Sequence, residues 1–351
     1  MAARRRALNF KKVLQTLLND QKPLPEFFSG HLQDLSPQEA ARLREVWPQI
    51  PLERRRALLE EMERVTDADL RVSFKAVGLL ALDDPDAQVR FGGVRVLWVE
   101  EDPQLIPRFL ALARNDPNIS VRANAVGALG SYMYLASLEE LPPKLTHQIE
   151  EELMALLRNP REPDEVRRQA LEVLGYSLNL DMSDWIEQAL SGDEDWQASG
   201  LFAIARTADT AWADRVVSFL QHQSPAVRAE AARAAGALGL QETVDTLIAM
   251  LHDPDAQVRM AAAWALSEIG GSEKIAEALE EALENATDEE EAALLEEALD
   301  NLAFTNDLLE MVMMDLPLDE AGVLSSEEEI EHLLRLFGGE VEDEHEEDDE
   351  A

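Results

Sequence analysis

Between Val89 and Leu266 one arrangement recurs: a bulky apolar residue, Ala or Gly four positions later, and an aliphatic residue four beyond that. The triplets are Val89/Gly93/Leu97, Val121/Ala125/Leu129, Val166/Ala170/Leu174, Trp196/Gly200/Ile204, Val227/Ala231/Ala235 and Val258/Ala262/Leu266. Steps of four keep the three side chains on one helix face. Successive copies start 32, 45, 30, 31 and 31 residues apart. A period of this size predicts stacked helix pairs, each burying its apolar face against its neighbours. The small middle residue lets a neighbouring helix approach closely; a leucine there would force the units apart.

Three positions before each bulky residue stand Asp86, Asn118, Asp193, Ser224 and Asp255. All are types whose side-chain oxygen can accept from the free amides of a first helical turn. In the third copy Pro163 takes that place, and Asp164 is expected to cap instead. First helices are predicted near 67–82, 103–114, 145–158, 182–190, 208–221 and 241–251. The long third step reflects an insertion at 131–146, read as an elongated helix plus loop.

Flanking segments read differently. Residues 1–35 are expected to be irregular, with prolines at 23 and 25 breaking any helix. Ser36-Pro37 opens a helix reaching about Trp47, and 51–65 forms a second; 36–66 is thus an N-terminal capping pair. The array proper covers 67–304. Its last pair, near 272–285 and 288–304, has the polar outer face of a terminal cap. Residues 305–339 form a linker with two amphipathic segments, at 308–316 and 330–337. Residues 340–351 carry nine acids in twelve positions and are expected to be a disordered tail. The fold class expected is all-α: a right-handed α-α superhelix of about seven to eight helix pairs, second helices lining its concave face.

Charge narrows the partners. Net charge is −40 over 351 residues, distributed as +3 in 1–75, −15 in 76–271 and −28 in 272–351. Such a field repels nucleic acid and anionic lipid and favours basic protein surfaces or cations. Cysteine is absent, which excludes disulfides, thiolate metal sites and cysteine nucleophiles. The basic start at Met1–Arg6 precedes no apolar run of signal-peptide length, and no stretch is long and apolar enough to span a membrane. A cytoplasmic monomer is the expectation.

The segments Asp83-Asp-Pro-Asp-Ala-Gln-Val-Arg90, Asn115-Asp-Pro-Asn-Ile-Ser-Val-Arg122 and His252-Asp-Pro-Asp-Ala-Gln-Val-Arg259 resemble the turn and second-helix start of HEAT repeats. They look closest to the short HEAT-like repeats named for phycobilisome (PBS) lyases. The resemblance covers about 67–304 and extends over armadillo-like helical solenoids generally. It implies a structural role for Arg90, Arg122, Arg167, Arg228 and Arg259: with the turn aspartates they form an internal polar ladder between units. Arg suits this because its planar fork bonds several oxygens at once. Gln197 replaces it in the fourth copy.

Catalytic chemistry finds little support in the residues. The resemblance includes deoxyhypusine hydroxylase, whose di-iron site uses repeated His-Glu pairs; the one His-Glu here is His345-Glu346, inside the acidic tail. No phosphate-binding glycine motif, nucleophile elbow or calcium-loop spacing occurs. Trp196 fills a triplet slot, Trp98 and Trp264 fall beside aliphatic slots and pack partly, and Trp185 and Trp212 are candidate partner anchors. No cofactor and no metal are implied. The function expected is a non-catalytic scaffold or adaptor holding a protein partner, basic by charge, along the concave face. Its contacts are expected at solvent-facing second-helix positions: Arg95, Asn124, Arg168, Glu230, Arg233 and Met260. Two alternatives stand beside it: an enzyme or enzyme subunit of the same repeat family (chromophore lyase or metal-dependent oxidoreductase), and a chaperone or charge mimic acting through the acidic C-terminal third.

Overall fold

The computed structural model describes residues 9–314 apart from 20, 26, 70, 287 and 288, with side chains to 308. The tail at 340–351, the segment at 330–337 and the side chains of 309–316 lie outside the described residues. No strand occurs among them. They form two compact units, one up to Leu180 and one from Asp181 onward.

The first unit holds α1 (Phe10–Leu18), α2 (Pro37–Val46), α3 (Leu52–Ala68), α4 (Lys75–Ala81), α5 (Ala87–Leu97), α6 (Ile106–Asn115), α7 (Ile119–Gly127), α8 (Gly130–Ser137), α9 (Pro143–Arg158) and α10 (Asp164–Leu174). The second holds α11 (Ser183–Leu190), α12 (Glu194–Thr207), α13 (Ala213–Phe219), α14 (Pro225–Ala237), α15 (Val244–Met250), α16 (Ala256–Ile269), α17 (Glu273–Glu284) and α18 (Glu289–Met314). Each is an all-α array of helix pairs. Second helices stack as α3, α5, α7, α10 in the first unit and as α12, α14, α16, α18 in the second.

The triplet positions explain the stacking. Ala125, Ala170, Ala231 and Ala262 are all fully buried. A Cβ added at Gly93 would lie 2.7 Å from the Ala81 Cβ, so α5 meets α4 almost backbone to backbone. A Cβ at Gly236 would lie 2.6 Å from the Ala265 Cα, so α14 and α16 approach equally closely. Trp196, by contrast, is only half-buried in its slot.

Four of the expected caps form. Asp86 accepts from the Val89 amide, Asn118 from Val121, Asp193 from Trp196, and Asp255 from Gln257 and Val258. Ser224 occupies the cap position without a side-chain bond. Its amide instead donates to His222 Nδ1 at 3.1 Å, and Pro225 removes one of the free donors. Asp164 does not cap α10. Pro163 holds that position with φ −54° and ψ 141°, a geometry its ring already favours, and Asp164 becomes the first helical residue.

Other boundaries move for local reasons. The stretch 1–35 is not irregular throughout: Phe10, Val13 and Leu17 are buried along α1, and the Asn9 side chain accepts from the Lys11 amide. The first helix expected from 67 starts only at Lys75, because α3 runs on to Ala68 and the Asp69 side chain then takes the Arg71 amide in a tight turn. The insertion forms a separate helix, α8. It is pinned by buried Tyr132, whose hydroxyl lies 2.8 Å from the Glu100 carbonyl oxygen and 3.0 Å from that of Asp102. At the other end α18 continues past Phe304 to Met314.

Candidate functional site: an arginine ladder and the face beside it

The turn aspartates do two jobs. Asp84, Asp116 and Asp253 each accept, through Oδ1, the amide two residues on, at 3.0, 2.9 and 2.9 Å. Each also takes the arginine of the preceding repeat. Arg90 forks onto Asp116 at 2.6 and 2.8 Å, while its Nη1 donates to the Asp84 and Pro85 carbonyls. Arg228 forks onto Asp253 at 2.9 and 2.8 Å and donates to the carbonyls of His222 and Gln223. Burial pushes Asp116 and Asp253 up, but the arginine and amide bonds outweigh it and hold both carboxyls below their ordinary range.

The remaining rungs vary. Arg122 donates to the Ala113 carbonyl at 3.0 Å and pairs with Glu162. Arg167 donates to the Leu157 carbonyl and to Asp164. Arg259 uses Glu291 at 2.6 Å. Sequence reasoning missed a rung at the capping pair: Arg55 reaches Asp84 at 3.2 Å, and the Trp47 indole donates to the same carboxylate at 2.8 Å. At Gln197 the ladder changes character, for its Oε1 is buried without a hydrogen-bond partner.

The second-helix positions expected to meet a partner do not share one environment. Arg233 is exposed, with Glu230 at 2.6 Å. Arg168, Met260 and Arg95 are half-exposed. Asn124 is buried, not solvent-facing: its side chain donates to the Phe91 carbonyl on α5, tying two second helices together. Glu230 is half-buried; burial pushes its carboxyl up against the opposing pull of Arg233 and Arg206.

The tryptophans are also redistributed. Trp212 is buried and cannot serve as an anchor, and Trp185 is half-buried. Trp264, read as partly packing, is 39% exposed on α16, and its indole donates to Glu268 at 2.9 Å. Trp264 stands six residues after Val258, the place that Arg95, Phe202 and Arg233 take in their own repeats. Comparing that slot across copies was the signal that could have found it.

Among the described residues no group of three His, Asp or Glu side chains is placed to hold a metal ion. No described helix is long and apolar enough to cross a membrane.

A family description for HEAT repeats matches residues 213–300, and one for a single HEAT repeat matches 105–135. Neither singles out the PBS-lyase subtype. No curated protein matches the chain. Among solved structures, Escherichia coli YibA is 17% identical over 81% of this chain and 99% of its own, with a TM-score of 0.41. Human deoxyhypusine hydroxylase is 19% identical over 74% and 95%, with a TM-score of 0.34. Importin beta is 14% identical over 84% and 51%, with a TM-score of 0.32. None of the three carries an argument about this chain's activity.

Proposed function

We propose that this chain, which carries HEAT repeats, is a non-catalytic adaptor holding a protein partner on the face presented by its second helices. The observation that supports it is the division of labour within each second helix. One side is consumed by triplet packing and the ladder, while in four of the six copies the slot six residues after the triplet start keeps a large polar or aromatic side chain at or near solvent: Arg95, Phe202, Arg233 and Trp264; buried Gly127 and half-buried Glu172 take it in the other two. Aromatic and arginine side chains at partly exposed positions are the usual anchors of protein interfaces. The negative field disfavours nucleic acid and anionic lipid as the partner. We read the working form as a cytoplasmic monomer.

The test is affinity capture from the native cell with cross-linking, using the full chain and a chain ending at Met314. Cross-links on second-helix faces and capture by both baits are expected. Cross-links confined to first helices, or capture that needs residues 315–351, would replace the adaptor reading with one based on the acidic C-terminal segment. Metal analysis of the purified chain tests the non-catalytic part: stoichiometric bound iron would favour a metal-dependent oxidoreductase.

A further inference from the structure

Two tryptophans on second-helix faces sit in related but unequal surroundings. In the first unit the Arg95 guanidinium lies 4.3 Å from the Trp98 ring centroid and donates to Glu63 at 2.7 Å. Aromatic face, cation and carboxylate are all supplied by the chain. In the second unit Trp264 offers an aromatic face and Glu268 a carboxylate, joined by the indole N–H bond, and among the described residues no cation pairs with either.

The Trp264–Glu268 pair is held in place. The two residues are one helical turn apart, and the hydrogen bond fixes the ring against the carboxylate. The other carboxylate oxygen faces Gly236 on α14, where an added Cβ would lie 2.6 Å from it; only glycine leaves that space. Surrounding protein pushes the Glu268 carboxyl up, and the indole bond offsets this only in part. Glu268 is itself exposed, so its carboxylate is open to a cation arriving from solvent.

Among the described residues of this unit cations are few and engaged elsewhere. Residues 181–314 carry 28 Asp and Glu against six Lys and Arg, net −22. Five of the six are paired: Arg215 with Glu187, Arg228 with Asp253, Arg233 with Glu230, Arg259 with Glu291 and Lys274 with Asp245. The sixth, Arg206, stacks on Phe202 at 3.2 Å. A positively charged partner meets a complementary field here, and the six described cations of this unit are already engaged.

We propose that Trp264 and Glu268 form a seat for a lysine or arginine side chain of a basic segment in the protein partner, completing from outside the triad that Arg95 completes in the first unit. The inference rests on the adaptor reading and names the chemistry of its partner. The cation lies over the indole face, where the ring quadrupole attracts it, and Glu268 supplies the charge-assisted bond.

The test uses a fluorescein-labelled peptide alternating Lys and Leu, titrated into the full chain. Anisotropy gives the affinity, and tryptophan emission gives the local signal. Trp264→Phe is expected to remove the emission change. Trp264→Phe and Glu268→Gln are each expected to weaken binding at least about fivefold. Glu277→Gln, an exposed position on α17, makes the same change in net charge and should shift affinity less than about twofold. Circular dichroism checks that each variant keeps its helix. Absence of peptide binding, equal effects of Glu268→Gln and Glu277→Gln, or an emission change that survives Trp264→Phe would overturn the proposal. The adaptor reading fails separately. If cross-links to the native partner fall on second-helix faces yet the Glu268→Gln chain captures it as well as the original, only the seat is lost.

Discussion

The two units are made from one repeat and spend their charge differently. Residues 9–180 carry 21 Lys and Arg against 27 Asp and Glu, net −6, whereas 181–314 stand at −22. Both use arginine internally, in the Arg90–Asp116 and Arg228–Asp253 rungs. The difference lies on the outer slot: Arg95 closes Trp98 with a cation of its own, while Trp264 faces solvent beside an exposed glutamate that pairs with no described cation. Packing positions are thus common property of the repeat, and the slot six residues after each triplet start is where copies diverge.

The strongest way to break this comparison is to attack what the units share. Arg90→Ala or Arg228→Ala should each cost about 3–5 kcal/mol in urea unfolding, because a desolvated aspartate is left without its partner. If one rung proves worth much less, the units do not rest on the same framework. The same aspartates predict acid sensitivity. Their folded-state pKa values are depressed, so the stability they contribute is present above the unfolded-state value and is lost as pH falls through the folded-state one. Unfolding followed by circular dichroism from neutral pH into the acid range should show this loss, and Arg228→Ala should reduce it.

Next in size is close packing. Gly93→Ala puts a methyl 2.7 Å from the Ala81 Cβ and 3.2 Å from its backbone carbon, so α5 must shift from α4. A loss of about 1–3 kcal/mol is expected by thermal or urea unfolding.

The smallest effects sharpen the comparison most. Arg95→Gln should cost only about 0.5–1 kcal/mol, since the Arg95–Glu63 pair is partly solvated. It should also give the first unit an open Trp98–Glu63 pair that adds weak binding of the Lys-rich peptide. Glu268→Gln should leave stability at neutral pH unchanged or slightly raised. Its folded-state pKa is raised, so any stability linked to it is present below the unfolded-state value and lost as pH rises through the folded-state one. The advantage of the glutamine variant over the original should therefore shrink on acidification.

Much of the fold was legible because packing repeats: Gly93, Ala125, Ala170, Ala231 and Ala262 recur in register, and four capping side chains bond as their types suggest. What escaped was set by neighbours in space. Asn124 reads as a polar surface residue, yet it faces the adjacent second helix, where a carbonyl accepts its amide. Trp212 reads as a partner anchor and Trp264 as partly packing, yet the first is buried and the second lies exposed on the outer slot. Helix α1 was hidden by the prolines that follow it, which mark its end and not its absence. Pro163 displaced a cap because its ring sets the required backbone angle without any side-chain acceptor.

The double duty of the turn aspartates governs how this chain can be cut. A fragment ending between Arg228 and Asp253 would keep the guanidinium but not the carboxylate it forks onto; one beginning there would keep an aspartate that still ties its own turn but has lost its countercharge. Truncations for biophysical work therefore belong just before a rung's arginine helix or just after its aspartate turn, and added copies are best inserted as whole modules, each bringing one acceptor for the module before it and one donor for the module after.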